Sequence, residues 1–347
     1  MRVYNIGTYP PPLGGISNHI KRLHEYLLAH GRESYVLDPS GVPKQAPGVV
    51  PVSTRGLIRF LWRPRSVLHF HIYSFKAFAL MYLLSMRHAV VYSLHGEPDL
   101  EHISLSRGLR RKLMLAMLKR FAIIADNPTC EEFLTRKLGL ANVVTIPEYI
   151  PGSEPDTGDL ARLRPYRERF DTVLSSNAYQ IAFFRDQDLY GLDILVEMMR
   201  ELAASQNVGM LFLLPGRGME DYYEQITKRI TEYGLVDRFI FIREPLVEAS
   251  SLWSMSDIVI RATNTDGNAL TIHEAMHSGT PVVASDCVDR PDGVILFKTR
   301  DVADLVRAVS DTIENLSQRR ERIAAMKIEN NAEKIDNLYC KLMGVAS

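Results

Sequence analysis

Short apolar runs alternate with stretches of helical periodicity along almost the whole chain, and this alternation restricts the fold more than any other feature. An apolar run of a few residues without polar alternation reads as a strand covered on both faces, and strands separated by helices pair in parallel. In the first half the strand candidates are Val3–Gly7, Tyr35–Leu37, Val67–His71, Val90–Leu94, Ile123–Asp126 and Val143–Ile146. Ile16–Ala29, Phe75–Arg87, Leu105–Arg120 and Cys130–Leu138 lie between them as helices. On the first helix Ile16, Ile20, Leu23 and Leu27 share one face. The second half continues with Thr172–Ser176, helix Leu192–Ala204, Met210–Leu214, helix Tyr222–Tyr233, Phe239–Ile242, Leu246–Met255 and Ile258–Ile260. Helix Ala269–Ser278, Val282–Ala284, Val294–Phe297 and helix Val302–Ile313 follow. The pattern predicts α/β architecture with parallel sheets.

A chain of 347 residues exceeds what one hydrophobic core usually organises. Between Pro147 and Pro165 the alternation breaks: Pro151, Pro155 and Pro165 join Gly152 and Gly158, with Glu154, Asp156 and Asp159 adding charge. This segment reads as an interdomain linker. The expected layout is therefore two Rossmann-like, doubly wound domains facing across a cleft, residues 1–150 and 151–317. Residues 318–347 should return to the first domain as a helix from Gln318 to Leu342, with Ile323, Met326, Ile335, Leu338 and Leu342 on its apolar side. In such sheets ligands bind at the carboxyl ends of the strands.

Several functions are disfavoured at once. Forty-one basic and 41 acidic residues cancel, which argues against a nucleic-acid partner. Cys130, Cys287 and Cys340 are far apart and form no CxxC, so neither a disulfide framework nor a structural zinc is expected. The apolar stretch Val67–Met86 contains His69, His71 and Lys76, which makes it a poor membrane span. With Arg2–Ile6 strand-like from the start, no signal-peptide core is read, and a cytoplasmic location is expected. The charge is nonetheless split: residues 1–150 carry 19 Lys/Arg against 10 Asp/Glu, and residues 151–347 carry 22 against 31.

Two loops hold the residues that suit chemistry. The first reads Gly7-Thr8-Tyr9-Pro10-Pro11-Pro12-Leu13-Gly14-Gly15-Ile16 and lacks the GxGxxG of dinucleotide enzymes. Gly14 and Gly15 precede a helix, where bare backbone admits close approach of an anion or sugar; a tight turn would use them equally well. The second runs from Arg261 to Ser285. Asp266 lies in a loop crowded with Asp, Gly and Asn, and Glu274 lies eight residues on, inside the next helix. Gly267, Asn268, Ala269 and Leu270 would place free amides at the helix start, beside two carboxylates able to accept sugar hydroxyls. An ordinary helix cap with a helical Glu fits the same spacing. Asp186-Gln187-Asp188 is a DxD triplet outside any strand-end context, and no metal is expected from it.

The Asp266–Glu274 segment, with Glu-Ala-Met and Gly279-Thr280-Pro281-Val282-Val283-Ala284-Ser285 after it, resembles the carboxylate-seven-carboxylate motif of the retaining GT-B glycosyltransferases of family 4. Pro11-Pro12-Leu13-Gly14-Gly15-Ile16, His69-Phe70-His71, Leu94-His95-Gly96 and Val144-Thr145-Ile146-Pro147 resemble that family in the same order. The resemblance implies that Glu274 bonds the ribose of a nucleotide sugar, that Asp266 reaches the donor sugar and that the 267–270 amides hold diphosphate or sugar. It places Gly14 and Gly15 on the phosphate side and His95 near the reacting carbon. It implies a nucleotide-diphosphate sugar as donor substrate, no cofactor, and a glycan or lipid-linked glycan acceptor, as in capsule, lipopolysaccharide or exopolysaccharide assembly.

The chain departs from the family at two points. Asp266 stands where Glu is usual, and Tyr190 precedes Gly191 where a Lys is usual, leaving Arg185 as the candidate phosphate clamp with Arg261 and Arg290 behind it. A nucleotide-sugar epimerase or hydrolase, or a non-catalytic partner subunit, remain alternatives on the same scaffold. Arg107, Arg110, Arg111, Lys112, Lys119 and Arg120, with Arg55, Arg59, Arg63 and Arg65, make a basic surface that suits peripheral contact with an anionic membrane at its inner face.

Overall fold

The computed structural model describes residues 1–345 except 12–13, 96–102, 104–105, 153–155, 217, 245, 247, 268 and 327–328. The chain divides into two compact units, Met1–Ile150 with Asn330–Ser347, and Pro151–Glu329.

The first unit holds a seven-stranded parallel sheet of β1 (Arg2–Ile6), β2 (Glu33–Asp38), β3 (Val49–Pro51), β4 (Val67–Phe70), β5 (Ala89–Ser93), β6 (Ala122–Ala125) and β7 (Val143–Thr145). Their spatial order is β3-β2-β1-β4-β5-β6-β7. Alternate residues of each strand feed two cores. Tyr4, Ile6, Leu68, Phe70, Val90 and Tyr92 belong to one, and Val3, Val67, Val91 and Ile124 to the other. That double coverage explains why the strands read as unbroken apolar runs. Only β3 escapes the sequence pattern, a three-residue edge strand ending in Pro51.

Helix Asn331–Met343 packs on this first unit. Ala332, Ile335 and Tyr339 join Val3, Leu23 and Leu27, and Arg32 clasps Asp336 through two nitrogens, Nη2 lying 2.8 Å from Oδ2. Tyr339 also reaches the β4 His69, oxygen to Nδ1 at 2.6 Å. The expected single terminal helix is in fact two. Leu316–Ala324 stays with the second unit through Ile323, and the later helix starts afresh at Asn330, whose side chain accepts from the Ala332 amide.

The second unit contains β8 (Thr172–Asn177), β11 (Val208–Leu213), β12 (Phe239–Ile242), β13 (Ile258–Arg261), β14 (Val282–Ser285) and β15 (Ile295–Phe297) in the order β12-β11-β8-β13-β14-β15, all parallel. A hairpin of β9 (Phe183–Phe184) and β10 (Gln187–Asp188) stands outside this sheet. Cores form on both faces, one around Met210, Phe212 and Ile260, the other around Leu211, Val259 and Trp253. Both units are thus doubly wound α/β structures, as the alternation requires.

The supposed linker through Pro165 is shorter than its composition suggests. Thr157–Arg167 is a helix, started by Asp156, whose carboxylate accepts from the Gly158 and Asp159 amides. Pro165 falls near its end, and Leu163 and Tyr166 pack into the second core. Capping chemistry won over a local Pro/Gly count.

Candidate active site

Each sheet reverses its strand order once, between β1 and β4 in the first unit and between β8 and β13 in the second. At such a reversal the loops leaving neighbouring strands diverge and open a crevice at the carboxyl ends. Of the residues singled out from sequence, Gly14 and Gly15 follow β1, Arg185 follows β8, and Asp266 and Glu274 follow β13, whereas His95 follows β5.

In the first unit, helix Gly15–Ala29 follows β1. Gly14 is its N-cap in extended conformation, no side chain caps the helix among the described residues, and its first turn carries no acidic residue. A Cβ at Gly14 would meet only Ser17 Oγ, at 3.8 Å, so packing does not demand glycine there. Pro12, Leu13 and Gly96 lie outside the described residues.

His95, just past β5, is set among three other histidines and a glutamate. Its Nδ1 lies 2.6 Å from Glu148 Oε1 and its Nε2 lies 3.1 Å from His71 Nδ1. His19 from the first helix contacts the Glu148 carbonyl at 2.7 Å. Burial would push the Glu148 carboxyl up, but the His95 hydrogen bond and charge outweigh it and hold that carboxyl below its ordinary range. His69 and His71 are driven well below the usual histidine range, first by burial and then by neighbouring imidazoles, His19 and His95 acting on His69, and His69, His95 and His19 on His71. Sequence reasoning missed Glu148. Its position directly after Ile146-Pro147, at the carboxyl end of β7, was the available signal.

In the second unit, helix Leu270–His277 leaves the loop after β13. Ala269 is its N-cap, with no side-chain cap among the described residues and no acid in the first turn, so the leading amides carry their positive dipole end unneutralised. Thr271 Oγ1 donates to Asn177 Oδ1 at 2.9 Å, tying this helix start to the end of β8. Glu274 is buried one turn in, where Oε2 accepts from Trp253 Nε1 at 3.0 Å. A Cβ at Gly267 would meet nothing within 4 Å. Asn268 lies outside the described residues.

Asp266 is differently placed from the open carboxylate expected. Arg261 grips it with Nε and Nη2 at 2.9 and 3.0 Å, Arg290 Nη1 adds a third contact at 2.9 Å, and Thr263 Oγ1 donates at 3.0 Å. Burial raises the carboxyl, yet the two guanidiniums prevail and hold it below the ordinary aspartate range. The two arginines held in reserve are therefore the cations at this carboxylate. Spacings of five and 24 residues gave no hint of the pairing.

Arg185 sits at the tip of the β9–β10 hairpin, where it and Asp186 both adopt positive φ, 50° and 58°. Its guanidinium lies 5.1 Å from the Phe184 ring centroid and makes no ion pair among the described residues. Asn264 Nδ2 approaches the Phe184 carbonyl and Gln187 Oε1, both at 3.4 Å, which sets the hairpin against the Asp266 loop. Asp188 of the DxD triplet caps the turn that leads into helix Leu192–Ala203, whose N-cap residue is Gly191. It accepts from the amides of Tyr190, Gly191 and Leu192 and from Tyr222 Oη. Gly191 is required at φ 71°, because a Cβ would stand 2.5 Å from the Ala262 carbonyl.

Residues 181–315, which contain Arg185, Asp266 and Glu274, match the model of the family described as glycosyl transferases group 1. That match lies within the second unit. The whole chain has the GT-B glycosyltransferase fold. Sucrose-phosphate synthase from Thermosynechococcus elongatus aligns at 19% identity over 99% of each chain with a TM-score of 0.66. Anabaena HepE in complex with UDP aligns at 17% identity over 99% of this chain and 97% of its own, TM-score 0.62, and HepE has also been solved with UDP-glucose. WaaG, a glycosyltransferase involved in lipopolysaccharide biosynthesis, aligns at 13% identity over 98% of this chain and 99% of its own, TM-score 0.64. No curated protein matches the sequence significantly.

Proposed function

We propose that this glycosyltransferase moves a sugar from a nucleotide-diphosphate donor to a glycan or lipid-linked glycan, with retention of anomeric configuration and without a metal, in cell-surface polysaccharide assembly. The observation that carries the reading is the start of helix Leu270–His277, uncapped and acid-free among the described residues, beside the β8–β13 reversal, with Glu274 one turn inside it and the group 1 family match around it. Helix-start amides suit a diphosphate, and a carboxylate suits ribose hydroxyls. HepE binds UDP and UDP-glucose and WaaG serves lipopolysaccharide synthesis, which supports a nucleotide sugar and that setting.

In the reaction the bond from the anomeric carbon to the diphosphate oxygen breaks ahead of attack. The acceptor hydroxyl forms the new bond on the face the diphosphate leaves, and its proton passes to a diphosphate oxygen. The protein's part is to stabilise the departing charge, where one well-placed donor is worth about 3 kcal/mol. Arg185, with no ion pair among the described residues, and the amides of Ala269 and Leu270 take that part in the second unit. In the first unit Glu148 holds His95, to which the resemblance gives a donor-sugar contact, and in the second Asp266 serves through the loop it holds.

The first unit also supports peripheral attachment to an anionic inner leaflet in the cytoplasm. Trp62, Leu109 and Leu113 are exposed, at 75%, 72% and 49%, among Arg59, Arg63, Arg107, Arg110 and Lys112, an arrangement suited to an interface. No helix among the described residues is long and apolar enough to cross a membrane.

Incubation with a panel of nucleotide sugars, with and without a glycan acceptor, tests the reaction. Transfer to acceptor with retained configuration is expected, undiminished by EDTA. Release of free sugar at the same rate without acceptor would assign a hydrolase instead.

A further inference from the structure

We propose that Asp266 is a positioning residue that joins Arg261 and Arg290 into one loop-setting cluster, and that it does not bind the donor sugar. The inference rests on the glycosyltransferase reading and changes one residue's part in it. Asp266 Oδ2 accepts from Arg261 Nε, Arg290 Nη1 and Thr263 Oγ1; Oδ1 accepts from Arg261 Nη2 and from the Gly267 amide at 3.1 Å. A carboxylate offers about four lone-pair sites, and five donors already fill them. A sugar hydroxyl would have to displace a guanidinium, exchanging a charge-assisted bond for a weaker neutral one. The side chain is only 8% exposed, and that of Arg290 only 2%.

The cluster has its own structural task. Arg290 Nε donates to the Ser285 carbonyl at 3.1 Å and Ser285 Oγ to the Thr263 carbonyl at 2.6 Å, so the carboxyl ends of β13 and β14 are fastened together around Asp266. The loop between them leads into helix Leu270–His277. With its amide turned onto Asp266, Gly267 drops out of the donor edge, which then begins at Ala269 and Leu270. Two guanidiniums and one carboxylate leave a surplus positive charge at this loop, in the chain that lacks the Lys before Gly191. Aspartate rather than the longer glutamate keeps the carboxylate drawn in toward the arginines.

The test is titration of the full chain with UDP and UDP-glucose, and with GDP and GDP-mannose, for wild type, Asp266→Asn, Arg290→Met and the double variant, with melting temperatures alongside. The expected result is that each single variant weakens the diphosphate and its sugar by the same factor, about tenfold, and that the double variant is no weaker than the worse single one. Loss confined to the sugar-bearing ligand in Asp266→Asn would establish a direct sugar contact and overturn the proposal, as would unchanged affinity for both. Should Asp266→Asn not fold, Arg290→Lys, which keeps the charge but loses the fork, is compared in the same way. Where wild type binds neither pair, the titration is repeated with the adenosine, cytidine and deoxythymidine diphosphates and their sugars, and binding of none of them would overturn the glycosyltransferase reading itself, and this inference with it.

Discussion

At the scale of single residues, burial of histidine sets the acid limit of the molecule. His19 is fully enclosed, and its pKa falls to about 4, chiefly through burial and then through the charge of His95. His69 and His71 are lowered further, and His24, His88 and His273 are lowered too, in each case first by burial. Each of these groups is neutral in the fold but takes a proton near pH 6.5 once unfolded. Stability is therefore intact above pH 6.5 and declines as pH drops toward 4, by up to about 1.4 kcal/mol per pH unit for each fully buried ring. Glu148 and Asp266, whose carboxyls are lowered, add losses only below about pH 4.5. Urea unfolding at pH 7.5 and pH 5.5 should show a markedly lower midpoint at pH 5.5; equal midpoints would contradict the burial described. Residue types at strand ends, such as His95 and Glu274, were legible in the sequence. Their partners were not, because Glu148 is 53 residues from His95 and Arg290 is 24 from Asp266, joined only by the fold.

At the scale of elements, periodicity located nearly every strand and helix, since each is an apolar run or an amphipathic face serving a doubly covered sheet. It failed where side-chain chemistry governs short pieces. The β9–β10 hairpin turns on Arg185 and Asp186 at positive φ, without the Asn-Gly that usually marks such a turn. The Thr157–Arg167 helix hid within a Pro- and Gly-rich stretch. Asp188 belongs to the same class: its carboxylate starts helix Leu192–Ala203, and burial, with Asp193 nearby, raises its pKa. Asp188→Ala should cost about 1–3 kcal/mol in urea unfolding, because it leaves buried amides and the Tyr222 hydroxyl without their acceptor. Asp188→Asn should cost less, because the amide oxygen still accepts and no charge is buried. No loss in the alanine variant would remove Asp188 from the capping role.

At the scale of the whole molecule, the vanishing net charge conceals a basic first part and an acidic second. Residues 1–150 carry nine surplus positive charges, 19 against 10. Each cation near an anionic surface contributes about 1 kcal/mol, so the exposed Trp62 and Leu109 with their arginines favour vesicles containing phosphatidylglycerol over neutral ones. Flotation with both vesicle types should show binding to the anionic set alone, reduced by Trp62→Ala; negligible binding to both removes the membrane from the account. Both sheets were legible from the alternation of runs except for the edge strand β3, whereas the terminal helix was misread as continuous because its two halves serve different units.

In the proposed reaction the start of helix Leu270–His277, with Glu274 behind it, holds the nucleotide sugar. Glu274→Gln preserves shape and an oxygen for Trp253 while removing the charge that attracts ribose hydroxyls. Calorimetric titration with the nucleotide sugar that wild type consumes should show affinity falling by about ten- to a hundredfold with the melting temperature preserved. Equal affinity in wild type and variant would contradict the account.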